Sequence, residues 1–190
     1  MKVLLIGSGG REHALAWKIN QSPLCDHLIC APGNAGMAEI ADCASVKADD
    51  VSGLLELVDN EAIDFVVVGP EQPLALGIVD ALQTRGITVF GPTELAAQLE
   101  SSKVFTKDFC VRHDIPTAKY EVFTDVQEAK AFLGEMQPPY VLKADGLAAG
   151  KGVVIPETRA EAEQELDEFF SGKFGDAGKC VLIEEFMRGH

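Results

Sequence analysis

The chain has 190 residues, 47% of them hydrophobic and 24% charged, which is ordinary for a soluble globular protein with a hydrophobic core. Its formal net charge is −14, from 16 basic and 30 acidic residues. This balance argues against a nucleic-acid-binding face, which needs a surplus of lysine and arginine. A negative protein also repels anionic substrates, so lysines and arginines beside glycine-rich loops become candidates for local anion sites.

The cysteines and the N-terminus indicate the compartment. The five cysteines are odd in number and form no C-x-x-C pair, so we expect free thiols rather than disulfides or a zinc site. Met1 and Lys2 run directly into an apolar strand, which is too short for a secretory signal. No apolar run reaches membrane-spanning length. These features predict a cytoplasmic protein.

The first half of the chain alternates short apolar runs with amphipathic segments. Residues 51–58 and 74–82 carry apolar side chains at helical spacing. Continuous apolar runs are typical of parallel strands that are covered on both faces. There are four of them, Val3–Ile6, Leu28–Ala31, Phe65–Val68 and Ile87–Phe90. This alternation predicts a doubly wound parallel sheet of the α/β class.

A loop rich in glycine or proline follows each of these predicted strands, at residues 7–11, 32–36, 69–73 and 91–93. Because open α/β sheets bind ligands at the carboxyl ends of their strands, we expect the loops to form a binding edge. Loop geometry alone also calls for glycine and proline. It does not call for Arg11, Asn34 and Glu71 in the same loops.

The loop after the first strand does not match a dinucleotide fingerprint. The third glycine of G-x-G-x-x-G would fall on Glu12, and the second strand ends at Ala31 and Pro32 instead of at an acid. What remains is a glycine turn that opens a helix near Arg11, which is a ready anion site. Arginine in a first turn opposes the helix dipole, so Arg11 suggests an anionic partner such as a sugar phosphate.

From Thr93 onward the pattern changes to that of a second, α+β unit, with the boundary in residues 92–116. Helices are predicted over 94–99 and 102–113 and after the capping boxes Thr124…Gln127 and Thr158…Glu161. Strands are predicted over 119–123, 140–142, 153–155 and 180–185. We therefore expect a first domain over residues 1–100, a helical linker over 101–116 and a second domain over 117–190.

The most informative stretch is a glycine-rich hairpin in the second unit. Lys143 ends its first strand, and the loop carries Gly146, Gly150, Lys151 and Gly152 before the next strand. Glycines let backbone amides approach a ligand, and lysines supply the charge that a polyphosphate needs. The spacing is not that of a Walker A loop, and a strand follows instead of a helix. The stretch predicts a nucleotide-phosphate lid; the alternative is a hairpin that binds nothing.

The last predicted strand ends with Glu184, Glu185 and Phe186. Such a segment can hold an adenine, because backbone groups read the edge of the base and a carboxylate accepts its exocyclic amine. The alternative is a strand end that simply reaches solvent. Lys143 on a neighbouring strand favours the nucleotide interpretation.

Together these motifs resemble the phosphoribosylamine–glycine ligase family of ATP-grasp enzymes. The resemblance runs in order along the whole chain through Gly7–His13, Pro32–Gly36, Val68–Leu74, Phe90–Pro92, Ser102–Lys107, Lys143–Gly152, Phe174–Gly178 and Glu184–Phe186. It implies a pre-ATP-grasp domain followed by the small lid lobe of an ATP-grasp domain. In the family, ATP phosphorylates glycine to a glycyl phosphate, and 5-phosphoribosylamine displaces the phosphate to form glycinamide ribonucleotide.

The resemblance also implies roles for individual residues. Lys103 and Lys143 would contact ATP phosphates, and the loop from Gly146 to Gly152, with Lys151, would close over them. Glu184, Glu185 and Phe186 would frame the adenine. The phosphoribosylamine side falls to the first half of the chain, at Gly9, Gly10, Arg11, Asn34 and Glu71.

The family continues beyond the equivalent of residue 190 with a large lobe that carries the Mg²⁺ ligands and the glycine-binding groups. The sequence therefore predicts a truncated piece of such an enzyme, with no metal ligands of its own, which binds ATP weakly and is inactive alone. We expect small-molecule partners, no nucleic acid, no membrane and a monomer. Two alternatives remain open: a non-catalytic nucleotide- or sugar-phosphate-binding module, and a different ATP-grasp carboxylate–amine ligase.

Overall fold

A computed structural model describes residues 1–148 and 150–189 of the chain. The described residues divide into two compact units, the first over Met1–Ala97 and the second from Gln98 onward. Within these residues, no helix is both long enough and apolar enough to cross a membrane.

The first unit is built on a five-stranded parallel sheet in the order β3-β2-β1-β4-β5. Its strands are β1 (Lys2–Gly7), β2 (His27–Pro32), β3 (Asp42–Cys43), β4 (Phe65–Val68) and β5 (Thr88–Phe90). The four strands predicted from apolar runs are confirmed; the two-residue β3 has no apolar run and was not predicted. The chain winds outward from β1 to β3 and then crosses to β4, so the order reverses between β1 and β4.

Helices connect the strands of this unit. They are α1 (Gly10–Ile19), α2 (Val51–Glu61), α3 (Glu71–Ala75) and α4 (Ile78–Thr84), with a 3₁₀ turn at Met37–Glu39. Helix α5 (Glu94–Ser101) follows β5 and spans the boundary between the units. The prediction of one helical segment over 74–82 is wrong. The helix breaks before α4, because Gly77 has a φ of +77°, a left-handed conformation that interrupts an α-helix.

The core of the first unit lies on both faces of the sheet. Leu4 and Ile6 pack into one apolar cluster, whereas Val3 and Leu5 pack into another. Alternate residues of β1 are therefore buried on opposite faces, as expected for a covered parallel strand. Cys30 of β2 is fully buried, and burial raises the pKa of its thiol to about 12, so this thiol stays protonated.

The second unit carries a four-stranded antiparallel sheet in the order β6-β9-β7-β8. Its strands are β6 (Tyr120–Phe123), β7 (Tyr140–Ala144), β8 (Val153–Val154) and β9 (Val181–Glu185). Its helices are α6 (Lys103–Arg112), α7 (Val126–Phe132) and α8 (Arg159–Glu168). Short 3₁₀ turns at Leu133–Glu135 and Gly175–Lys179 and a π-helical turn at Phe169–Lys173 complete it.

Helices α7 and α8 cover one face of this sheet. Ala129, Leu133, Leu166 and Phe169 are fully buried in one cluster with side chains of β7 and β9. The capping box of α8 is confirmed, since the Thr158 hydroxyl accepts from the backbone amide of Glu161.

The predicted capping box of α7 is wrong. Asp125, rather than Thr124, is the N-cap, and its carboxylate accepts from the backbone amides of Gln127 and Glu128. Threonine and aspartate both suit a helix N-cap, so the sequence pattern does not decide which of these two adjacent residues begins α7.

Candidate nucleotide and sugar-phosphate sites

Lys143 and Glu184 lie on adjacent strands of the second unit and form an ion pair. In the β7–β9 register Val141 is opposite Glu184, so Lys143, two residues further, lies diagonally across on the same face. Its Nζ is 2.9 Å from Glu184 Oε2. The structure thus brings together the lysine that ends the first hairpin strand and the acid of the last strand.

A second lysine shares this carboxylate. Lys107 of α6 is buried, and its Nζ is 3.1 Å from Glu184 Oε2. The same ammonium donates to Thr117 Oγ1 at 2.8 Å and to the Ala118 carbonyl at 3.1 Å. Two cations therefore meet on one oxygen of a buried carboxylate. Its other oxygen, Oε1, is buried and has no hydrogen-bond partner among the described residues.

Asp145 attaches the start of α6 to the glycine-rich loop. Its carboxylate accepts from the backbone amides of Lys103 at 2.6 Å and Val104 at 3.2 Å, and from the Ser102 hydroxyl at 3.2 Å. Ser102 is the N-cap of α6. These bonds supply acceptors to a helix N-terminus, where backbone amides otherwise lack partners.

The Lys103 side chain returns to the same loop. Its Nζ donates to the Gly146 carbonyl at 2.9 Å. Burial lowers the pKa of Lys103, and the neighbouring Lys143 lowers it further, although Asp145 partly compensates. A partly buried ammonium beside a second cation is stabilised by a bound anion, so both lysines suit a phosphate.

The hairpin loop has the backbone that its glycines predict. Gly146 and Gly150 have φ values of +127° and +76°, a region that other residues avoid. The Gly152 carbonyl accepts from the Ala144 amide at 2.8 Å and closes the base of the loop. Lys151 is exposed in the loop. Ala149, in the middle of the predicted lid, lies outside the described residues.

The two residues after Glu184 differ from it in environment. Glu185 is half-buried, and its Oε1 accepts from the backbone amide of Lys119 at 2.9 Å. Phe186 is 40% exposed beyond the end of β9. An exposed aromatic ring at a strand end is available for stacking on a base, whereas the Glu185 carboxylate already has a partner.

In the first unit, Arg11 and Glu71 come together at the reversal of strand order. Arg11 follows β1 and Glu71 follows β4; the Arg11 Nη1 is 3.1 Å from Glu71 Oε1 and 3.2 Å from the Gly69 carbonyl. A hydrogen bond from its own backbone amide lowers the pKa of Glu71, and Arg11 lowers it further. Both side chains are exposed, so a ligand can reach this pair.

Asn34 joins the loop after β2 to the loop after β1. Its Nδ2 donates to the Ser8 carbonyl at 2.9 Å, and its Oδ1 accepts from the Met37 amide at 3.0 Å. Gly9 is the N-cap of α1 and Gly10 its first residue. Asn34 thus holds the backbone on which the proposed sugar-phosphate residues sit.

Glu12, in the first turn of α1, is buried beside this loop. Its Oε2 accepts from the Gly9 amide at 2.7 Å. A Cβ added at Gly7 or Gly69 would lie 2.4 Å from the Glu12 side chain, so only glycine leaves room for it at either position. Glu12 therefore holds the backbone of the Gly7–Gly10 turn through its hydrogen bond to Gly9 and its close packing against Gly7.

Sequence reasoning did not assign Lys107 and Asp145. Lys107 follows Lys103 by four residues, which places both on one face of α6, and this spacing was a usable signal. Asp145 stands between Lys143 and Gly146, but nothing in the local pattern shows that it reaches the start of α6. That contact joins distant parts of the chain, since Ser102 and Asp145 are 43 residues apart in sequence.

Comparison with known proteins identifies the family. The family model described as "Phosphoribosylglycinamide synthetase, N domain" matches residues 1–100, and the one described as "Phosphoribosylglycinamide synthetase, ATP-grasp (A) domain" matches residues 101–190. Over its whole length the chain is 56% identical to a phosphoribosylamine–glycine ligase of Caulobacter vibrioides. It is 57% identical to that of Xanthomonas axonopodis pv. citri. In both cases it covers 44% of the relative.

Solved structures agree. A phosphoribosylamine–glycine ligase from Thermotoga maritima matches the whole chain with a TM-score of 0.80 and 32% identity, and the match covers 45% of that protein. The biotin carboxylase domain of a Hydrogenobacter thermophilus 2-oxoglutarate carboxylase shares the fold, with a TM-score of 0.78, 20% identity, and coverage of 98% of this chain and 44% of that one. The chain thus spans about half the length of the curated relatives that it matches. It belongs to the phosphoribosylglycinamide synthetase family.

Proposed function

We propose that this chain supplies part of the machinery of an ATP-dependent carboxylate–amine ligase, which joins glycine to 5-phosphoribosylamine. Its family membership and the names of its relatives support this proposal. The observation that carries it is the convergence of Lys103 and Lys143 with the acids Asp145 and Glu184 beside a glycine-rich hairpin. Fixed cations and backbone donors are what the binding of a triphosphate requires.

The second unit would bind ATP. Lys103 and Lys143 would meet the phosphates, with the loop carrying Gly146, Gly150, Lys151 and Gly152 closing over them. Glu184, Glu185 and Phe186 would frame the adenine. Because the Glu185 carboxylate accepts from the Lys119 amide, the Glu184 carboxylate is the better acceptor for the exocyclic amine.

The first unit would bind 5-phosphoribosylamine. Its phosphate would lie at the start of α1, where the amides of Gly9 and Gly10 and the Arg11 guanidinium supply positive charge. The ribose hydroxyls would have the Glu71 carboxylate and the Asn34 amide as partners. Arg11 donates to Glu71, so substrate binding would replace or share this contact.

The proposed reaction has two steps. A glycine carboxylate oxygen attacks the γ-phosphorus of ATP, and the bond to ADP breaks to give glycyl phosphate and ADP. The amine of phosphoribosylamine then attacks the carbonyl carbon, the C–O bond to phosphate breaks, and the amine loses a proton. The lysines lower the barrier of the first step in two ways. They position the γ-phosphoryl group of ATP, and they stabilise the charge on its oxygens.

The described residues do not fit the Mg²⁺ that such a reaction uses. They contain no group of three histidine, cysteine, aspartate or glutamate side chains able to hold a metal ion. The two carboxylates beside the lysines are also engaged, Glu184 by two ammonium groups and Asp145 by the start of α6. We therefore derive no step through Mg²⁺ from these residues and propose that its ligands lie outside them.

The test is ADP formation by the complete polypeptide that the gene encodes, compared with the 190-residue chain. We expect sustained ADP formation by the complete polypeptide only when glycine and 5-phosphoribosylamine are both present, because the amine must consume the glycyl phosphate before the next turnover. We expect the 190-residue chain to be inactive. Activity with another carboxylic acid in place of glycine would favour a different ATP-grasp ligase, and ATP binding without turnover would favour a non-catalytic module.

We also propose a cytoplasmic location, supported by the five cysteines, all of which are free thiols. A monomer remains our prediction for the oligomeric state. Light scattering of the purified polypeptide would test it.

A further inference from the structure

Lys107 is the least expected part of the nucleotide site. It is a buried lysine, and its ammonium has three partners: Thr117 Oγ1, the Ala118 carbonyl and Glu184 Oε2. A lysine ammonium has three hydrogens to donate. Lys107 therefore has none left for a phosphate, and its contacts point inward to the protein.

Lys143 differs from Lys107 in its access to solvent, which ligand binding needs. The Lys143 side chain is 26% exposed and that of Lys107 is 9% exposed, although both contact the same oxygen of Glu184. Two cations on one carboxylate oxygen leave a surplus of positive charge. The more exposed lysine can turn to an anion while the buried one keeps the carboxylate paired.

We propose that Lys107 is a positioning residue: it holds the Glu184 carboxylate ionised and in place, so that Lys143 is free to leave this carboxylate for a nucleotide phosphate. The proposal rests on the proposed ATP-binding function of this site. Without Lys107, each transfer of Lys143 to a phosphate would strand a buried carboxylate without a cation. An unpaired buried charge is strongly unfavourable and is relieved by taking up a proton.

The unpartnered Oε1 of Glu184 suggests a second role for Lys107, in the choice between ATP and GTP. An ionised carboxylate only accepts hydrogen bonds, so it favours the 6-amino group of adenine, as in ATP. A protonated carboxyl can also donate, which would favour the carbonyl oxygen that GTP carries at the same position. By keeping Glu184 ionised, Lys107 would therefore favour ATP over GTP.

Other groups near Glu184 do not replace Lys107. Tyr120 of β6 is opposite Glu184, but burial and its hydrogen bond to Asp108 raise the pKa of Tyr120 to about 12, so it stays neutral. Lys103 interacts electrostatically with Glu184, but its ammonium donates to the Gly146 carbonyl. Apart from Lys143, Lys107 is thus the cation in contact with this carboxylate among the described residues.

The test measures proton uptake during ATP binding. ATP is titrated calorimetrically at pH 7 into the complete polypeptide, in buffers of different ionisation enthalpy. For Lys107→Met we expect uptake of about one proton per bound ATP, in excess of the unaltered protein, because a buried carboxylate left without a cation is relieved by taking up a proton. The preference for ATP over GTP should fall by about tenfold, the usual effect of losing one hydrogen bond to a charged group.

Three further variants make the result specific. Lys107→Arg keeps a cation and should show no extra proton uptake. Lys107→Met combined with Glu184→Gln has no carboxylate to protonate and should also show none. If Lys107→Met alone does not fold, the double variant should fold, because the unpaired buried charge is gone. A double variant that also fails to fold would overturn the role of Lys107. Lys130→Met removes a lysine that pairs with Asp167 on the surface of the same unit, and it should behave as the unaltered protein does.

The outcomes separate the two proposals. If the unaltered polypeptide binds ATP but Lys107→Met shows neither extra proton uptake nor a changed preference, the role of Lys107 is overturned and the ATP site stands. Extra uptake that persists in the double variant also overturns it, because Glu184 is then not the group that titrates. If the unaltered polypeptide binds no ATP, both proposals fail.

Discussion

The two units hold their proposed binding residues in opposite ways. In the first unit, Arg11 and Glu71 form a single exposed pair at the edge of a parallel sheet. In the second unit, Glu184 is buried between Lys107 and Lys143 and retains an unpartnered oxygen. An exposed pair contributes little to folding and opens at little cost to a ligand. A buried cluster ties stability and binding together, so the same substitution affects both.

The largest effect should come from Glu184→Gln, which leaves two lysines without their carboxylate. Because breaking a buried ion pair leaves uncompensated charge, we expect a loss of about 3 kcal/mol in the free energy of unfolding. Urea denaturation at neutral pH measures it. Glu163→Gln is the matched control, since Glu163 pairs with Arg159 on the surface of α8 and should cost less than about 1 kcal/mol. Equal costs would show that the buried cluster is not special.

The next effect should come from Asp145→Ala, which removes the acceptor of the Lys103 and Val104 amides at the start of α6. We expect a loss of about 2 kcal/mol in stability, the upper range for helix caps, and weaker ATP binding because Lys103 is no longer held. Asp125→Ala is the control: it removes the N-cap of α7 and should cost about 1 kcal/mol without changing the affinity for ATP. Unchanged ATP affinity in Asp145→Ala would separate this contact from the site.

A smaller effect should come from Gly150→Ala in the hairpin loop. Gly150 has a φ of +76° and open space around it, so the added methyl group costs only backbone strain, about 1 kcal/mol. If ATP holds the loop in this shape and the free loop can relax from it, the strain opposes only the bound state. ATP affinity should then fall by about fivefold, as titration calorimetry would show. Gly172→Ala also places a side chain at a positive φ, +103°, but outside the hairpin, and it should leave ATP affinity unchanged. A similar fall in both variants would count against a lid.

The smallest effect on stability should come from Glu71→Gln in the first unit. The pKa of Glu71 lies below its ordinary value of 4.5, so its ionised form stabilises the fold above that pH and the contribution disappears as the pH falls through the lowered pKa. We expect Glu71→Gln to lower the free energy of unfolding by less than about 1 kcal/mol at pH 7, and by less still in acid. Urea denaturation midpoints, measured from pH 7 down to below the pKa of Glu71, test this. The KM for 5-phosphoribosylamine should nevertheless rise, and an unchanged KM would remove Glu71 from the proposed site.

Much of the fold follows from local patterns in the sequence. The strands β1, β2, β4 and β5 and the helices α7 and α8 lie where predicted, because the burial of regularly spaced side chains determines such elements. The errors are local as well. The break at Gly77 and the shift of a cap from Thr124 to Asp125 depend on the conformations of single residues. The pattern of apolar residues was compatible with both the predicted and the observed arrangement at each of these positions.

For the candidate binding sites, sequence and tertiary structure determine different things. The sequence alone determined which residue types are available: the lysines, the glycine-rich hairpin, the acidic strand end and the loop residues Arg11, Asn34 and Glu71. Only the tertiary structure decided which of them meet. Lys107, Lys143 and Glu184 come from a helix and two strands, and Asp145 reaches the start of α6 from a distant turn. The physical reason is that spacing along the chain determines which side chains share a face, whereas ion pairs between separate elements depend on how those elements pack.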